Sequence, residues 1–167
     1  MLGFGEAKPV SSSARAVVKR SRDAVFSFVA ADFFRNYQRW SPQVVELEPL
    51  SQGPVQAGLL ARQVTMDQGI RSESTFQIAA YEPPSAIELM GVSEPFRSSY
   101  AFAAENDDQT EVVFTFELRE LALPMRPFVK LIRAAIQDGA EQAVENIKQL
   151  IESETDSLGA ARKKAAV

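Results

Sequence analysis

The sequence predicts an α+β fold, in which a largely antiparallel sheet is covered by one long helix. Two observations support this fold class. Between Val44 and Leu118, apolar and polar residues alternate with a period of two, and short turn sequences separate the alternating segments. After Pro127 the period changes to 3.6 and persists for about seven turns. Hairpin connections imply antiparallel pairing, and the single long helix must bury its apolar stripe against the sheet.

The N-terminal part predicts one strand followed by a helical segment. We expect an irregular lead-in over residues 1–11 and a first strand over residues 14–20. Ser21 suits a helix N-cap. Four apolar residues then recur at every fourth position, which indicates one helix or two closely spaced short helices: Val25, Val29, Phe33 and Tyr37. The sequence Trp40-Ser41-Pro42 ends this run, because proline disfavours helix in the residue before it.

Six further strands are predicted from the alternation and the turns between them. Gln52-Gly53-Pro54 and Asp67-Gln68-Gly69 have turn chemistry, and Glu82-Pro83-Pro84 breaks the chain. In the strand near residue 62, we assign the inward face to the larger apolar side chains: Leu60, Val64 and Met66, with Arg62 among them. The last strand shows the clearest alternation, with Val112, Phe114 and Phe116 on one face.

The C-terminal helix is predicted to begin near Pro124 and Pro127 and to pack along one apolar face. Gly139 lies within that face, where glycine costs about 1 kcal/mol relative to alanine. Close contact between helix and sheet is the commoner reason for such a glycine. Space for a ligand, or a hinge, is the alternative.

The composition excludes several classes of chemistry. The 167 residues include no cysteine and no histidine, so disulfides, thiolate nucleophiles, Ser-His-Asp triads and imidazole metal sites are all excluded. We therefore expect no cofactor and no metal, although carboxylates could still form a calcium or magnesium site. The net charge of −4 disfavours nucleic acid as a partner.

The ends of the chain carry two further expectations. Residues 1–9 lack the apolar core of a signal peptide, which favours a cytoplasmic location. The apolar stretch over residues 24–34 is too short to span a bilayer, so we expect no stable membrane insertion. Residues 155–167 are expected to form a flexible tail, solvated or able to touch a membrane or RNA through Arg162-Lys163-Lys164. The oligomeric state is left open as monomer or dimer.

A curved sheet under a single helix can leave a cavity between the two apolar faces. Small-molecule sites of this kind are mostly apolar with a few polar groups. The alternative is a solid core, with Arg62 extending to the rim. The predicted ligand-binding residues come from both faces: Trp40, Leu60, Arg62, Val64, Met66, Ser74, Phe76, Ser98, Tyr100, Phe102, Phe114, Phe116, Phe128, Leu131, Ile132 and Ala135.

Over residues 12–154 the chain resembles the START-like (SRPBCC) superfamily, and in particular its polyketide cyclase/dehydratase branch. The resemblance rests on the order and spacing of short segments: Ser21-x-x-x-Val25-Phe26, Trp40-Ser41-Pro42, Gly53-Pro54-Val55-x-x-Gly58, Tyr81-Glu82-Pro83-Pro84, Tyr100-x-Phe102, Gln109-Thr110-Glu111-Val112 and Leu150-Ile151-Glu152. It implies a helix-grip fold like that of the birch allergen, with about seven strands wrapped around the C-terminal helix. It also implies a cavity for lipids, sterols, quinones or polyketides, in enzymes as well as in carriers and sensors.

Two functions are compatible with this picture. A carrier or sensor needs only the cavity and a few polar anchors. A cyclase or dehydratase would orient a flexible substrate, with Arg62 and Tyr100 as the candidate catalytic residues. Period counting places no carboxylate on the cavity face, so an oriented general base is missing from the predicted lining. The sequence therefore favours a non-catalytic binder.

Overall fold

The structure is a computed structural model that describes residues 9–165, with side chains described as far as Glu154. The strands are β1 (Val10–Val18), β2 (Val44–Pro49), β3 (Leu60–Asp67), β4 (Ile70–Glu82), β5 (Ala86–Gly91), β6 (Phe96–Asn106) and β7 (Gln109–Leu118). The helices are α1 (Arg22–Phe26), α2 (Phe33–Trp40) and α3 (Val129–Ala165). A π-helical turn (Ser27–Ala31) joins α1 to α2, and a 3-10 helix (Leu123–Phe128) precedes α3.

The seven strands form one antiparallel sheet in the order β1-β7-β6-β5-β4-β3-β2. The predicted α+β class and the long covering helix are confirmed. One strand boundary differs, because β1 begins at Val10, four residues before the predicted start. Ser11, Ser12 and Ser13 pair with β7, and their missing apolar alternation hid this part of the strand from pattern counting.

The segment after β1 forms two short helices, α1 and α2. Of the two predicted alternatives, one helix or a closely spaced pair, the pair is confirmed. Ser21 caps α1, since its side chain accepts a hydrogen bond from the Ala24 amide at 3.2 Å. The buried face continues through the π-helical turn, since Val25, Val29 and Phe33 are all fully buried. α2 ends at Trp40, before Pro42.

Only the later part of α3 packs tightly on the sheet. Between Val129 and Gly139 no side chain is buried, whereas from residue 140 onward one face is closed by five buried residues: Ala140, Ala143, Val144, Ile147 and Ile151. These five belong to the main hydrophobic core together with residues of α1, α2 and the sheet. The first three turns of α3 therefore add no residue to the core, and Gln137 in the third turn contacts the sheet through a hydrogen bond to the Ser13 carbonyl oxygen of β1 at 3.2 Å.

Two predicted end segments fall partly outside the described residues. Residues 1–8 of the predicted lead-in are not described. In the predicted tail, residues 155–167, the backbone belongs to α3 as far as Ala165, and the side chains are outside the description. The domain boundaries therefore stay predictions. None of the described helices is long and apolar enough to cross a membrane.

The uneven packing of α3 predicts a matching difference in stability. Ile147→Ala should lower the free energy of unfolding by about 2–5 kcal/mol, because it leaves a void in the core. Ile132→Ala, the same change in the first turns of α3, should cost about 1 kcal/mol, because Ile132 is only partly buried. Urea unfolding followed by circular dichroism measures both, and equal losses would contradict the uneven packing.

A cavity under the first turns of the long helix

A cavity of about 400 Å³ lies between the sheet and the first half of α3. It exists because the sheet curves away from the helix at the point where α3 has no buried residue. Its lining comes from α2, the α2–β2 connection, strands β3, β6 and β7, and α3: Tyr37, Ser41, Gln43, Asp67, Ser98, Tyr100, Phe114, Phe116, Ile132, Ala135, Ile136, Gly139, Ala140 and Ala143.

The inner wall of the cavity is a cluster of aromatic rings. Tyr100 contacts Phe114 with 4.7 Å between ring centroids and Trp40 with 5.9 Å, while Tyr37 stacks on Phe33 at 4.6 Å. The Trp40 indole Nε1–H donates a hydrogen bond to the Tyr100 hydroxyl oxygen at 3.2 Å. Trp40 is itself buried and does not line the cavity. It therefore positions Tyr100 from behind.

A second contact ties this wall to α3. The Asn146 side chain donates a hydrogen bond to the Trp40 carbonyl oxygen at 3.2 Å. Asn146 lies between the buried residues Ala143 and Ile147, in the anchored half of the helix. The anchored half of α3 thus holds the α2 terminus, and through Trp40 the Tyr100 hydroxyl, in place.

The polar part of the lining includes a carboxylate that pattern counting did not find. Asp67 is the last residue of β3 and pairs with Ile70 across a two-residue turn. Gln68 and Gly69 in that turn both have positive φ, at 48° and 81°, and such turns match the twist of a hairpin. The hairpin extends Asp67 to the cavity, where Ser41, Gln43 and Ser98 are the neighbouring polar lining residues.

Gly139 provides space and is not a close-packing position. A Cβ atom built on Gly139 meets no other atom within 4 Å. The expectation of close helix–sheet contact at this glycine is therefore wrong, and the alternative of open space is confirmed. Together with Ala135, Ala140 and Ala143, Gly139 gives the helix side of the cavity a small-residue surface.

The structure brings six of the predicted ligand-binding residues to the cavity: Ser98, Tyr100, Phe114, Phe116, Ile132 and Ala135. Five others are buried elsewhere and do not line it: Trp40, Val64, Ser74, Phe76 and Phe102. Four more are exposed at the surface: Leu60, Met66, Phe128 and Leu131. Helical or strand period alone could not separate these groups, because it gives a side chain's face but not what lies opposite.

The prediction that Arg62 faces the cavity is wrong. Its neighbours Ala61 and Gln63 are the residues that point into the protein, and both are buried. Arg62 lies on the outer face of the sheet, where its guanidinium donates to Glu73 at 2.6 Å and to Glu46 at 3.2 Å. The hydrogen bond to Glu73 raises the pKa of Arg62 further above its usual value. Arg62 is therefore removed from the candidate catalytic set.

Strand β3 was misassigned because both of its faces carry apolar residues. The face with Leu60, Val64 and Met66 has the larger side chains, but the face with Leu59 and Ala61 is the one that packs in the core. The face of Arg62 can be identified from its charged partners on the two neighbouring strands, Glu46 of β2 and Glu73 of β4. Since Glu73 belongs to the outer face of β4, an arginine that pairs with it must also lie outside.

Burial raises the pKa of both tyrosines that line the cavity. The pKa of Tyr37 rises from 10.0 to about 12. The pKa of Tyr100 is also raised, first by burial and then by the nearby Tyr37, against a smaller opposing effect of the hydrogen bond from Trp40. Both phenols, like an ordinary tyrosine, are neutral at physiological pH and can donate a hydrogen bond, and they stay protonated to a higher pH than usual.

The described lining suits an organic ligand better than a metal ion. Asp67 is the one carboxylate among the lining residues. Among the described residues, no three Asp or Glu side chains lie close enough together to hold a metal ion. The lining offers apolar contacts with a few hydroxyl, amide and carboxylate groups.

The raised pKa of Tyr37 predicts a loss of stability at alkaline pH. The folded state keeps the Tyr37 proton above pH 10, where the unfolded state releases it, so stability is full below pH 10 and falls until about pH 12. Each pH unit between the unfolded and the folded pKa of such a tyrosine lowers the free energy of unfolding by about 1.4 kcal/mol. Urea unfolding at a series of pH values from about 9 to about 12 measures this loss. The free energy of unfolding should fall less steeply with pH in Tyr37→Phe than in the wild type. Parallel curves for the two proteins would contradict the buried phenol.

The fold is shared with proteins of known structure at low sequence identity. TTHA0849 from Thermus thermophilus is 14% identical, with 86% of this chain and 98% of that chain covered and a TM-score of 0.68. The Zhui aromatase/cyclase from Streptomyces sp. R1128 is 14% identical, with 88% of this chain and 96% of that chain covered and a TM-score of 0.72. Norcoclaurine synthase from Thalictrum flavum is 12% identical, with 88% of this chain and 96% of that chain covered and a TM-score of 0.68.

Sequence comparison gives a family but no individual relative. No curated protein matches the chain. Residues 9–152 match the family described as polyketide cyclase/dehydrase and lipid transport, which is nearly the whole of the described fold. The seven-stranded sheet, the two short helices after β1 and the long C-terminal helix agree with that match. The chain therefore belongs to the polyketide cyclase/dehydrase and lipid transport family, with the START-like helix-grip fold.

Proposed function

We propose that this protein binds a hydrophobic small molecule in the cavity under α3, as a carrier or sensor. The observation that carries the proposal is the open space beneath the first three turns of α3, which the core does not fill. An unfilled space beside a tightly packed core forgoes van der Waals contacts that a ligand can supply.

The lining indicates the chemical class of the ligand. Phe114, Phe116, Ile132 and Ile136 offer apolar contact. The Tyr100 hydroxyl accepts from Trp40, so its own proton can be donated to an oxygen atom of the ligand. A volume of about 400 Å³ is near the lower end for small-molecule pockets. These features favour a compact apolar skeleton, such as a fused ring system, that carries a carbonyl or hydroxyl group.

Gly139 allows a direct test of the cavity. Gly139→Leu should fill the space and weaken ligand binding by about tenfold or more, equivalent to about 1.4 kcal/mol. Gly139→Ala is the matched control, because its Cβ meets no atom within 4 Å. The alanine variant should keep binding and gain up to about 1 kcal/mol of stability from helix propensity.

The measurement combines extraction and titration. Solvent extraction of the purified protein and mass spectrometry would identify bound compounds. Trp40, the single tryptophan, contacts Tyr37 and Tyr100, so its fluorescence should report titration with polycyclic aromatic, quinone and fatty acid probes. Absence of any extracted or titratable ligand, or equal binding in the leucine and alanine variants, would remove the proposal.

A second candidate, a cyclase or dehydratase, is favoured by one specific observation. Asp67 supplies the carboxylate that the predicted lining lacked. A carboxylate can take the proton from a carbon between two carbonyl groups, while the neutral Tyr100 hydroxyl donates to the enolate oxygen that forms. The cavity would hold a polyketone chain in one folded conformer.

Replacing Asp67 tests this second candidate. With a polyketone substrate, Asp67→Asn should lower the cyclisation rate by about 100-fold, because the amide cannot accept the proton. Asp107→Asn is the matched control, since Asp107 is exposed in the turn between β6 and β7 at the opposite end of the sheet. If the two variants have equal rates, Asp67 is not the base and the binding function stands alone.

A further inference from the structure

Large apolar side chains are exposed mainly at one end of the molecule. Eleven are exposed among the described residues, and four of them fall within nine residues at the start of α3 and in the 3-10 helix before it: Leu123, Met125, Phe128 and Leu131. Leu131 is the most exposed of the eleven, at 71%. A monomeric surface usually scatters such residues singly.

The antiparallel topology brings three more of these residues to the same end. Strands β3, β5 and β7 all run toward this end, so the β3–β4 turn, the β5–β6 turn and the β7–α3 connection lie there together. Met66 and Ile70 flank the first turn, and Val92 lies in the second. Seven of the eleven exposed apolar side chains thus share one end, which we call the apolar end.

The apolar end borders the cavity on both the sheet side and the helix side. Asp67, which lines the cavity, lies between Met66 and Ile70 at the tip of the β3–β4 hairpin. On the opposite side, Phe128 and Leu131 precede the lining residues Ile132 and Ala135 by one turn of the helix. The stripe that lines the cavity therefore continues beyond the sheet and into solvent.

Basic side chains accompany the exposed stripe. The segment 121–137 contains Arg126, Lys130 and Arg133 and no acidic residue, in a chain whose net charge is −4. All three are exposed, and none forms an ion pair within the described residues. Four acidic residues also lie at this end: Asp67 at the tip of the β3–β4 hairpin, Glu94 in the β5–β6 turn, Glu117 near the end of β7 and Glu120 ahead of the 3-10 helix. The positive charge is therefore local to the start of α3.

We propose that the apolar end docks on the surface of a lipid bilayer that contains anionic headgroups. Leu123, Phe128 and Leu131 enter the interfacial layer, while Arg126, Lys130 and Arg133 contact phosphate groups. The exposed apolar residues lie at three separate places, the start of α3 and the β3–β4 and β5–β6 turns. A fluid bilayer surface can adapt to such separate contacts more easily than a rigid protein partner can. Docking is independent of what the cavity holds.

Two exposed leucines at opposite ends of the protein make a matched pair for the test. Leu131→Glu changes the apolar end, and Leu50→Glu makes the same change in the β2–β3 connection at the other end of the sheet. The full chain and both variants are sedimented with vesicles of phosphatidylcholine alone and of phosphatidylcholine mixed with phosphatidylglycerol. The wild type should bind the mixed vesicles more tightly, and the difference should shrink at high salt.

The expected result is a loss of about fivefold or more in vesicle affinity for Leu131→Glu, with Leu50→Glu unchanged. No binding to either vesicle, or equal losses in both variants, would overturn the proposal. So would a dimer in vesicle-free sedimentation that Leu131→Glu dissociates, since that assigns the apolar end to a second copy. Ligand titration of Leu131→Glu without vesicles separates failure of docking from failure of the cavity.

Discussion

The uneven packing of α3 is the constraint on which the rest of the structure depends. From Ala140 to Ile151 the helix is fixed to the core by small and branched apolar residues that are almost fully buried. Before Gly139 the same helix has no buried residue. A helix is stiff over this distance, so the anchored half fixes the direction of the free half. The sheet curves away from that direction, and the gap between them is the cavity. The later turns of α3 therefore stabilise the fold, while its first turns leave the cavity open.

A short chain of hydrogen bonds carries this anchoring to the chemical groups of the site. Asn146, in the fixed half of α3, donates to the Trp40 carbonyl, and the Trp40 indole donates to the Tyr100 hydroxyl. Both tyrosines in the lining are neutral at pH 7, as an ordinary tyrosine is, and burial raises their pKa values further above 10.0, so the cavity holds hydrogen-bond donors and no phenolate. The absence of histidine thus does not leave the site without polar chemistry. It limits that chemistry to phenol, hydroxyl, amide and the single carboxylate of Asp67.

The fold could be predicted from the sequence to a greater extent than the site. Period, turn residues and the Ser21 cap gave the order of elements, because each depends on neighbours within a few positions. The face of β3 depends on its partner strands, and only the ion pairs of Arg62 with Glu46 and Glu73 distinguish its two apolar faces. Gly139 is compatible with close packing or with open space until the position of the sheet is known. Asp67 was missed for the same reason as Arg62, since one residue of slip in β3 exchanges every side chain between the faces.

The two surfaces of functional interest have one structural cause. Where α3 leaves the sheet, its apolar stripe first lines the cavity at Ile132 and Ala135, and one turn earlier it reaches solvent at Phe128 and Leu131. A helix that packed along its whole length would bury this stripe and have neither surface. Exposure of large apolar residues lowers solubility, and a fold that served only its own stability would gain by covering them. For a carrier of the proposed kind, docking of the apolar end would let an apolar molecule pass between the bilayer and the cavity without crossing water.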